Sequence, residues 1–384
     1  LKNIVFTADG TWNGPGKDEG LGPNEEKTNV FRLFVNLAGQ DDPHQLMLGG
    51  EQERVYTDAA GVVQQVAKYL HGVGDSQNAL VKLLGGAFGV GIIARIVRGY
   101  TFISRNYVAG DRIYINGFSR GAYTARSLAG LIAARGLLDA TKLDLSDKEA
   151  AYRLGAAVWQ DWRREVGADK TWFAALQETL FDLPGFVAAP MTDQRIVDVP
   201  IEAVGVWDTV GSLGIPDYVG LSERVDVFRF ADVVLSKAVN YGFHGLAIDE
   251  RRADFAPTYW KPDRRLIQYL FPGAHGDVGG GYRTANNESG LSDAAFQWMK
   301  EHLGAVGVLF QATSPVPIVP DAKGVAHQPW TEPPFNTLAQ GPRELPVGLY
   351  VHPVTRERLA AGPVQAAPDA MPRPYRPINL ADYM

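Results

Sequence analysis

The sequence predicts an α/β protein, a mostly parallel sheet with helices on its faces. Three observations carry this expectation. Five short apolar segments are near-continuous, as strands buried on both faces are. Stretches with helical spacing alternate with them. No repeat of 20 to 50 residues, Ser/Gly-rich linker or charge block interrupts the chain before its last fifth. This argues against solenoids and propellers and for one elaborated domain over residues 1–384.

The elements follow in chain order. Ile4 to Ala8 is the first strand and runs directly into Asp9-Gly10-Thr11; a second strand covers about Val63 to Leu70. Helical spacing over Ala94 to Tyr107 precedes the strand Ile113 to Ile115, and a small-residue helix over Ala122 to Ala134 follows it. Asp139 to Pro200 then separates two strands by far more than one crossover helix needs, and it concentrates Trp159, Trp162, Trp172 and Phe173. This helical insertion reads as a cap over the site or as helices whose aromatic faces pack on the core. The strand Ile201 to Trp207 comes next, then helical spacing over Val233 to Ile248, then the strand Leu266 to Phe271. Pro315 to Met384 holds fourteen of the twenty-four prolines yet keeps Trp330, Phe335, Tyr350 and Tyr375, so it reads as an irregular tail wrapped on the domain.

Composition narrows the function. Hydrophobic residues make up 46% and charged residues 21%, a globular balance. A net charge of −6 offers no long-range attraction to nucleic acid, which is not expected as a partner. The chain has no cysteine, which removes disulfides, thiolate metal sites and a cysteine nucleophile. The longest apolar run, Leu83 to Ala94, is twelve residues with four glycines, against the ~20 that a spanning helix needs. No transmembrane segment or signal peptide is visible, and a soluble protein is expected.

The stretch that carries chemistry is Gly117-Phe118-Ser119-Arg120-Gly121, where a strand ends and a helix starts at once. A chain of this composition shows G-x-S-x-G by accident about one time in eight, so the flanking strand and helix give the motif its weight. A nucleophile elbow strains the serine backbone, presents its hydroxyl at the sheet edge, and aims the Arg120 amide at the spot where an oxyanion develops. A serine needs a base, and the base needs an anion to fix its tautomer. In α/β-hydrolase folds the chain order is Ser, Asp or Glu, then His. Asp208 directly follows the strand ending at Trp207, and His275 lies just beyond the strand ending at Phe271. Both sit where strand carboxyl ends open. His244 is the rival base, read on a helix face; His44, His71, His302, His327 and His352 read as ordinary surface or packing residues. Backbone N–H groups at Gly10 and Thr11 are the second oxyanion donors expected of the loop after the first strand, and Arg120 and Arg126 read as structural cations.

These motifs together resemble a family: the bacterial α/β hydrolases related to phospholipase effectors of type VI secretion, long a domain of unknown function. The matches are DGTWN at Asp9, YLHGVG around Gly72, GFSRGAYTARSLAG around Ser119, VGVWDTVGSLG around Asp208, HGLAIDERRADFAP around His244 and PGAHGDVGGGY around His275. They span residues 3 to about 282, with weaker similarity in YRPINL. The resemblance implies an α/β-hydrolase fold and a Ser119, Asp208, His275 ester hydrolase of the lipase or phospholipase kind, in a bacterial cytoplasm or exported without a visible signal. It implies no cofactor, and an ester or lipid substrate reached by peripheral membrane contact. The chain carries little beyond the catalytic domain of the larger effectors, so a separate membrane-docking module is not expected. At Asp75 the resembling loop usually has threonine. Two other readings stay open: a metal-dependent phosphoesterase built on Asp9, Asp208, His275 and Asp277, and a binding scaffold without catalysis. Oligomeric state is left open.

Overall fold

The computed structural model describes residues 1–10, 26–41, 51–72, 88–165, 192–210, 233–333, 335–337 and 339–383. Its strands are β1 Asn3–Ala8, β2 Gln40–Asp41, β3 Glu51–Thr57, β4 Val63–Leu70, β5 Arg112–Phe118, β6 Leu137–Leu138, β7 Arg195–Ile196, β8 Ile201–Trp207, β9 Val239–Ala247, β10 Leu266–Phe271 and β11 Tyr350–Val351. The helices are α1 Asn29–Asn36, α2 Phe88–Asn106, α3 Arg120–Arg135, α4 Lys148–Glu165, α5 His275–Gly279, α6 Gly290–Ala305 and α7 Pro353–Ala360.

Nine strands form one sheet in the order β11-β10-β9-β8-β5-β1-β4-β3-β2. Every neighbouring pair from β4 through β11 is parallel, while β3 and β2 are antiparallel additions at one border. Strand β5 is therefore central, flanked by β1 and β8. Period-two alternation explains the near-continuous apolar runs, because both faces are covered. Ile4, Phe6, Ile113 and Ile115 face the core under α2, α3 and α4, whereas Val5, Tyr114, Phe118 and Trp207 face the core under α1 and α6. Trp207 is fully buried and its indole Nε1 donates to the Ala295 carbonyl at 3.2 Å, so its donor is paired. This is a mostly parallel, helix-flanked α/β sheet, as the sequence indicates.

All five expected strands are present, and both expected helices around the central strand are α2 and α3. The expected helix over Val233 to Ile248 is absent: residues 239–247 form β9, between β8 and β10. Its spacing looks helical because Gly242 and Gly245 interrupt the alternation that marks a half-buried strand. Strand β6, just before the insertion, pairs antiparallel with β7 near the insertion's end, and α4 within it packs on α2 and α3. Trp159 is buried in that core with Trp162 against it, which is the core-packing arrangement for this part of the stretch. Trp172 and Phe173 lie outside the described residues. In the stretch after Pro315, β11 extends the sheet by pairing with β10. Among the described residues no helix is long and apolar enough to cross a membrane.

Candidate active site

The turn between β5 and α3 consists of Ser119 alone, at φ 57° and ψ −123°. Non-glycine residues rarely adopt this conformation, and it persists only where the surroundings enforce it. Two glycines permit the enforcement. A Cβ on Gly117 would run into the Gly121 carbonyl, and one on Gly121 into the carbonyl oxygens of Ala8 and Asp9. Their absence lets α3 start directly against the end of β1. The Ser119 N–H donates to the Trp207 carbonyl at 3.1 Å, which ties the serine to the residue preceding Asp208.

Asp208 follows β8 with φ 37° and is 0% exposed. Its carboxylate accepts four hydrogen bonds: His275 Nδ1 at 2.6 Å and Arg343 Nη2 at 2.8 Å on Oδ2, and Arg343 Nη1 at 2.7 Å and Ala247 N–H at 3.0 Å on Oδ1. Burial alone would raise its pKa; the Arg343 charge and the bonds from His275 and Arg343 outweigh that and hold it far below the usual carboxylate range. An ionised Oδ2 facing Nδ1 fixes the tautomer, so Nδ1 carries the proton and Nε2 is the accepting nitrogen. The His275 ring packs on Phe118 at 4.5 Å between centroids and edge-on to Phe255 at 5.0 Å. Burial lowers its pKa first; Asp208 and Glu250 pull it up and Arg252 pushes it down, and the net direction is below the usual histidine value. Asp208 and His275 thus bond to each other at the carboxyl ends of β8 and β10, and Ser119, at the end of β5, is tied toward them by its N–H bond to Trp207 and by the Phe118–His275 ring contact.

His275 opens α5, and the amides leading into that helix are held by carboxylates. Gly273 N–H donates to Asp249 Oδ2 at 2.6 Å, Ala274 N–H to Asp277 Oδ2 at 2.8 Å, and His275 N–H to Glu250 Oε2 at 3.2 Å. Each carboxylate has a second partner: Tyr375 hydroxyl on Asp249 at 2.8 Å, His327 Nδ1 on Asp277 at 2.6 Å, and the Arg252 guanidinium on both Glu250 oxygens at 2.9 and 2.8 Å. Arg252 also stacks on Phe255 at 3.4 Å and on Phe335 at 4.6 Å.

The other expected residues fall around this centre. Asp9 is fully buried at the end of β1, with its oxygens taken by the Gly10 N–H at 2.7 Å and the Thr28 and Tyr69 hydroxyls at 2.6 Å each. Burial pushes its pKa up to about 6 despite those bonds and the Arg95 charge. The Gly10 N–H is therefore engaged by Asp9, and Thr11 lies outside the described residues, as do His44 and Asp75. His244 is on β9, not on a helix: its Nε2 accepts from the Thr209 N–H at 3.2 Å, and its Nδ1 lies 3.2 Å from Gln268 Oε1. Burial first, then the Arg126 charge, pushes its pKa down to about 3, so it stays neutral with both nitrogens committed. Two of the histidines read as ordinary have specific settings. His327 is buried on Asp277 and stacked on Tyr282, and His352 follows β11 and caps α7 by accepting from the Val354 N–H at 3.2 Å. The four expected metal ligands are committed separately, with only Asp208 and His275 bonded to each other. Among the described residues no group of three or more His, Cys, Asp or Glu side chains is placed to hold a metal.

Sequence reasoning missed Arg343, the fork on Asp208. It also missed the Glu250–Arg252 pair, although DERR directly after a strand within a quoted motif was the available signal. Arg126, expected as a structural cation, donates to the Thr258 carbonyl at 2.5 Å and lies 4.2 Å from the Trp260 ring centroid.

A strained serine between strand and helix, with an acid and a histidine at the next strand ends, defines the α/β-hydrolase class. Residues 2–302 match the family described as "T6SS, Phospholipase effector Tle1-like, catalytic domain", and the chain belongs to that family. It is 27% identical over 261 residues to an uncharacterized protein of the yeast Saccharomyces cerevisiae, covering 68% of this chain and 33% of the yeast protein. The chain thus spans about a third of that relative's length. Among solved structures, an uncharacterized protein from Pseudomonas aeruginosa aligns with 18% identity and a TM-score of 0.42, over 81% of this chain and 46% of the other. A Tle1 effector bound to the VgrG spike of the type 6 secretion system aligns with 16% identity and a TM-score of 0.41, over 73% and 52%.

Proposed function

We propose that this chain hydrolyses carboxylic esters of lipids, phospholipids foremost, with Ser119 as nucleophile, His275 as base and Asp208 as its orienting acid. The observation that carries the reading is the 2.6 Å contact of His275 Nδ1 with Asp208, beside a serine held at φ 57° on the adjoining strand-to-helix turn. Ser119 Oγ attacks the ester carbonyl carbon while His275 Nε2 takes its proton, giving a tetrahedral oxyanion and an imidazolium. The imidazolium returns that proton to the leaving alcohol oxygen as the C–O bond breaks, leaving an acyl-serine. Water then attacks the acyl carbon with the same base, and the serine proton is restored. The Arg120 amide, at the start of α3, takes the oxyanion. The Gly10 N–H is the second donor: the close approach of the Ala8 and Asp9 carbonyls to Gly121 supports this, and donation from Gly10 requires release from Asp9.

Membership of a phospholipase effector family supports a lipid ester as substrate.

The test combines labelling with turnover. A fluorophosphonate should add one adduct to the intact protein, lost in Ser119→Ala, and phosphatidylglycerol vesicles should release acid or lysolipid only with the unmutated serine. A folded, unmutated protein that takes no adduct defeats the reading.

A further inference from the structure

The chain beyond residue 302, outside the family match, turns back onto the candidate site. Arg343 lies 135 residues after Asp208 and bonds both of its carboxylate oxygens, with each contact between 2.7 and 2.8 Å. The same guanidinium donates to the carbonyls of Ala247 at 2.8 Å and Phe255 at 2.7 Å, one at the end of β9 and one beside His275. Asn379 in turn donates to the Arg343 carbonyl at 3.2 Å and to that of Ile248 at 3.0 Å.

We propose that Arg343 is a positioning residue for the Asp208–His275 pair, making the stretch after residue 302 a working part of the catalytic centre. The proposal rests on the triad reading above. A carboxylate at a strand end can rotate about its Cβ–Cγ bond; a planar fork on both oxygens fixes that rotation and leaves a lone pair of Oδ2 on the Nδ1 axis. Two more contacts from the same stretch act one step further out. Tyr375 holds Asp249, which holds the Gly273 amide, and His327 holds Asp277, which holds the Ala274 amide. Three residues after 302 therefore fix the acid and the segment that leads into the base.

The fork also has an electrostatic role. Asp208, Glu250 and Asp277 are the anions around His275, with Arg252 on Glu250, His327 on Asp277 and Arg343 on Asp208, and Arg120 follows the serine. Burial is the first cause of the lowered histidine pKa, with Arg252 adding to it and Asp208 and Glu250 opposing it; by Coulomb's law the Arg343 charge bonded to Asp208 weakens that opposition. Without that cation the imidazolium forms at higher pH, and the base is lost earlier as pH falls.

Arg343→Gln and Arg343→Lys separate the two roles. With Arg343→Gln, kcat/KM should fall about 100-fold at pH 7.5 and its acid limb should move up by about one pH unit. Arg343→Lys keeps the charge but loses the fork, and is the milder change for folding. Its acid limb should stay in place while kcat falls about 10-fold and KM holds. A folded Arg343→Lys with unchanged kcat overturns the proposal, as does a folded Arg343→Gln whose acid limb does not move. Fluorophosphonate labelling of the unmutated protein run alongside keeps the two readings apart: no adduct there fails the triad itself, whereas normal labelling with unaffected Arg343 variants fails the positioning role alone.

Discussion

Asp208→Asn tests how the buried charges at the centre of the molecule depend on each other. The substitution keeps the shape and removes one negative charge from a side chain with no exposure. It strands the Arg343 guanidinium, which is also buried and would retain the carbonyls of Ala247 and Phe255 but no carboxylate bonded to it, Glu250 remaining as the nearby negative charge. Breaking a buried pair from one side costs about 3–5 kcal/mol, against a total stability of about 5–15 kcal/mol for a folded domain. Urea unfolding at pH 7.5, followed by tryptophan fluorescence, should therefore show a midpoint far below that of the unmutated protein. The double variant Asp208→Asn with Arg343→Gln removes both charges and should recover 1 kcal/mol or more of the loss, about the coupling that contacting residues show. Activity should behave otherwise: about 10⁴-fold down in Asp208→Asn, because the histidine tautomer is no longer fixed, and not restored in the double variant. Equal stability of Asp208→Asn and the unmutated protein, or strictly additive effects in the double variant, would refute the reasoning.

The acid limb of kcat/KM should lie below pH 6.5, since burial holds His275 below its usual value; a pH series from 4.5 to 8 checks this, and a limb above 6.5 contradicts it. Gly121→Ala should cut kcat at least about 10-fold and lower stability by about 1–3 kcal/mol, because the new methyl must push α3 off the Ala8 and Asp9 carbonyls; thermal melts and ester turnover read both effects. The carboxyl of Asp9 titrates near 6 in the folded state against about 3.8 unfolded, so its stabilising contribution is complete below the lower value and fades as pH rises through the higher one. Relative to Asp9→Asn, the unmutated protein should lose about 2 kcal/mol between pH 4.5 and 7.5 by urea titration. Incubation with EDTA should leave ester turnover unchanged, and loss with rescue by a divalent ion would revive the phosphoesterase reading.

The sequence made the central architecture legible where one local signal had one physical meaning. Short, near-continuous apolar runs such as Ile201–Trp207 and Leu266–Phe271, broken only by Glu202 and Gln268, mark a strand covered on both faces. The elbow was legible because Gly117 and Gly121 answer to contacts within five residues and with β1. Strand β9 was not, since a buried His244 and two glycines inside it remove the apolar alternation, and its identity rests on neighbours β8 and β10 instead. Arg343 could not be read for the same reason. A lone arginine in GPRELP carries no mark of an aspartate 135 positions earlier, and only the tertiary fold brings the fork to it. His327 is equivalent, 50 residues after Asp277 with no spacing that links them.

The borders of the sheet bear on how the protein behaves when crowded. Among the described residues both end in strands two residues long, Gln40–Asp41 on one side and Tyr350–Val351 on the other, and a proline follows the second by one residue. A foreign strand arriving at either flank finds room for little more than one pair of ladder bonds before the register runs out. Pairing through these two border strands is therefore limited at its first step, which makes them poor templates for ribbon-like stacking.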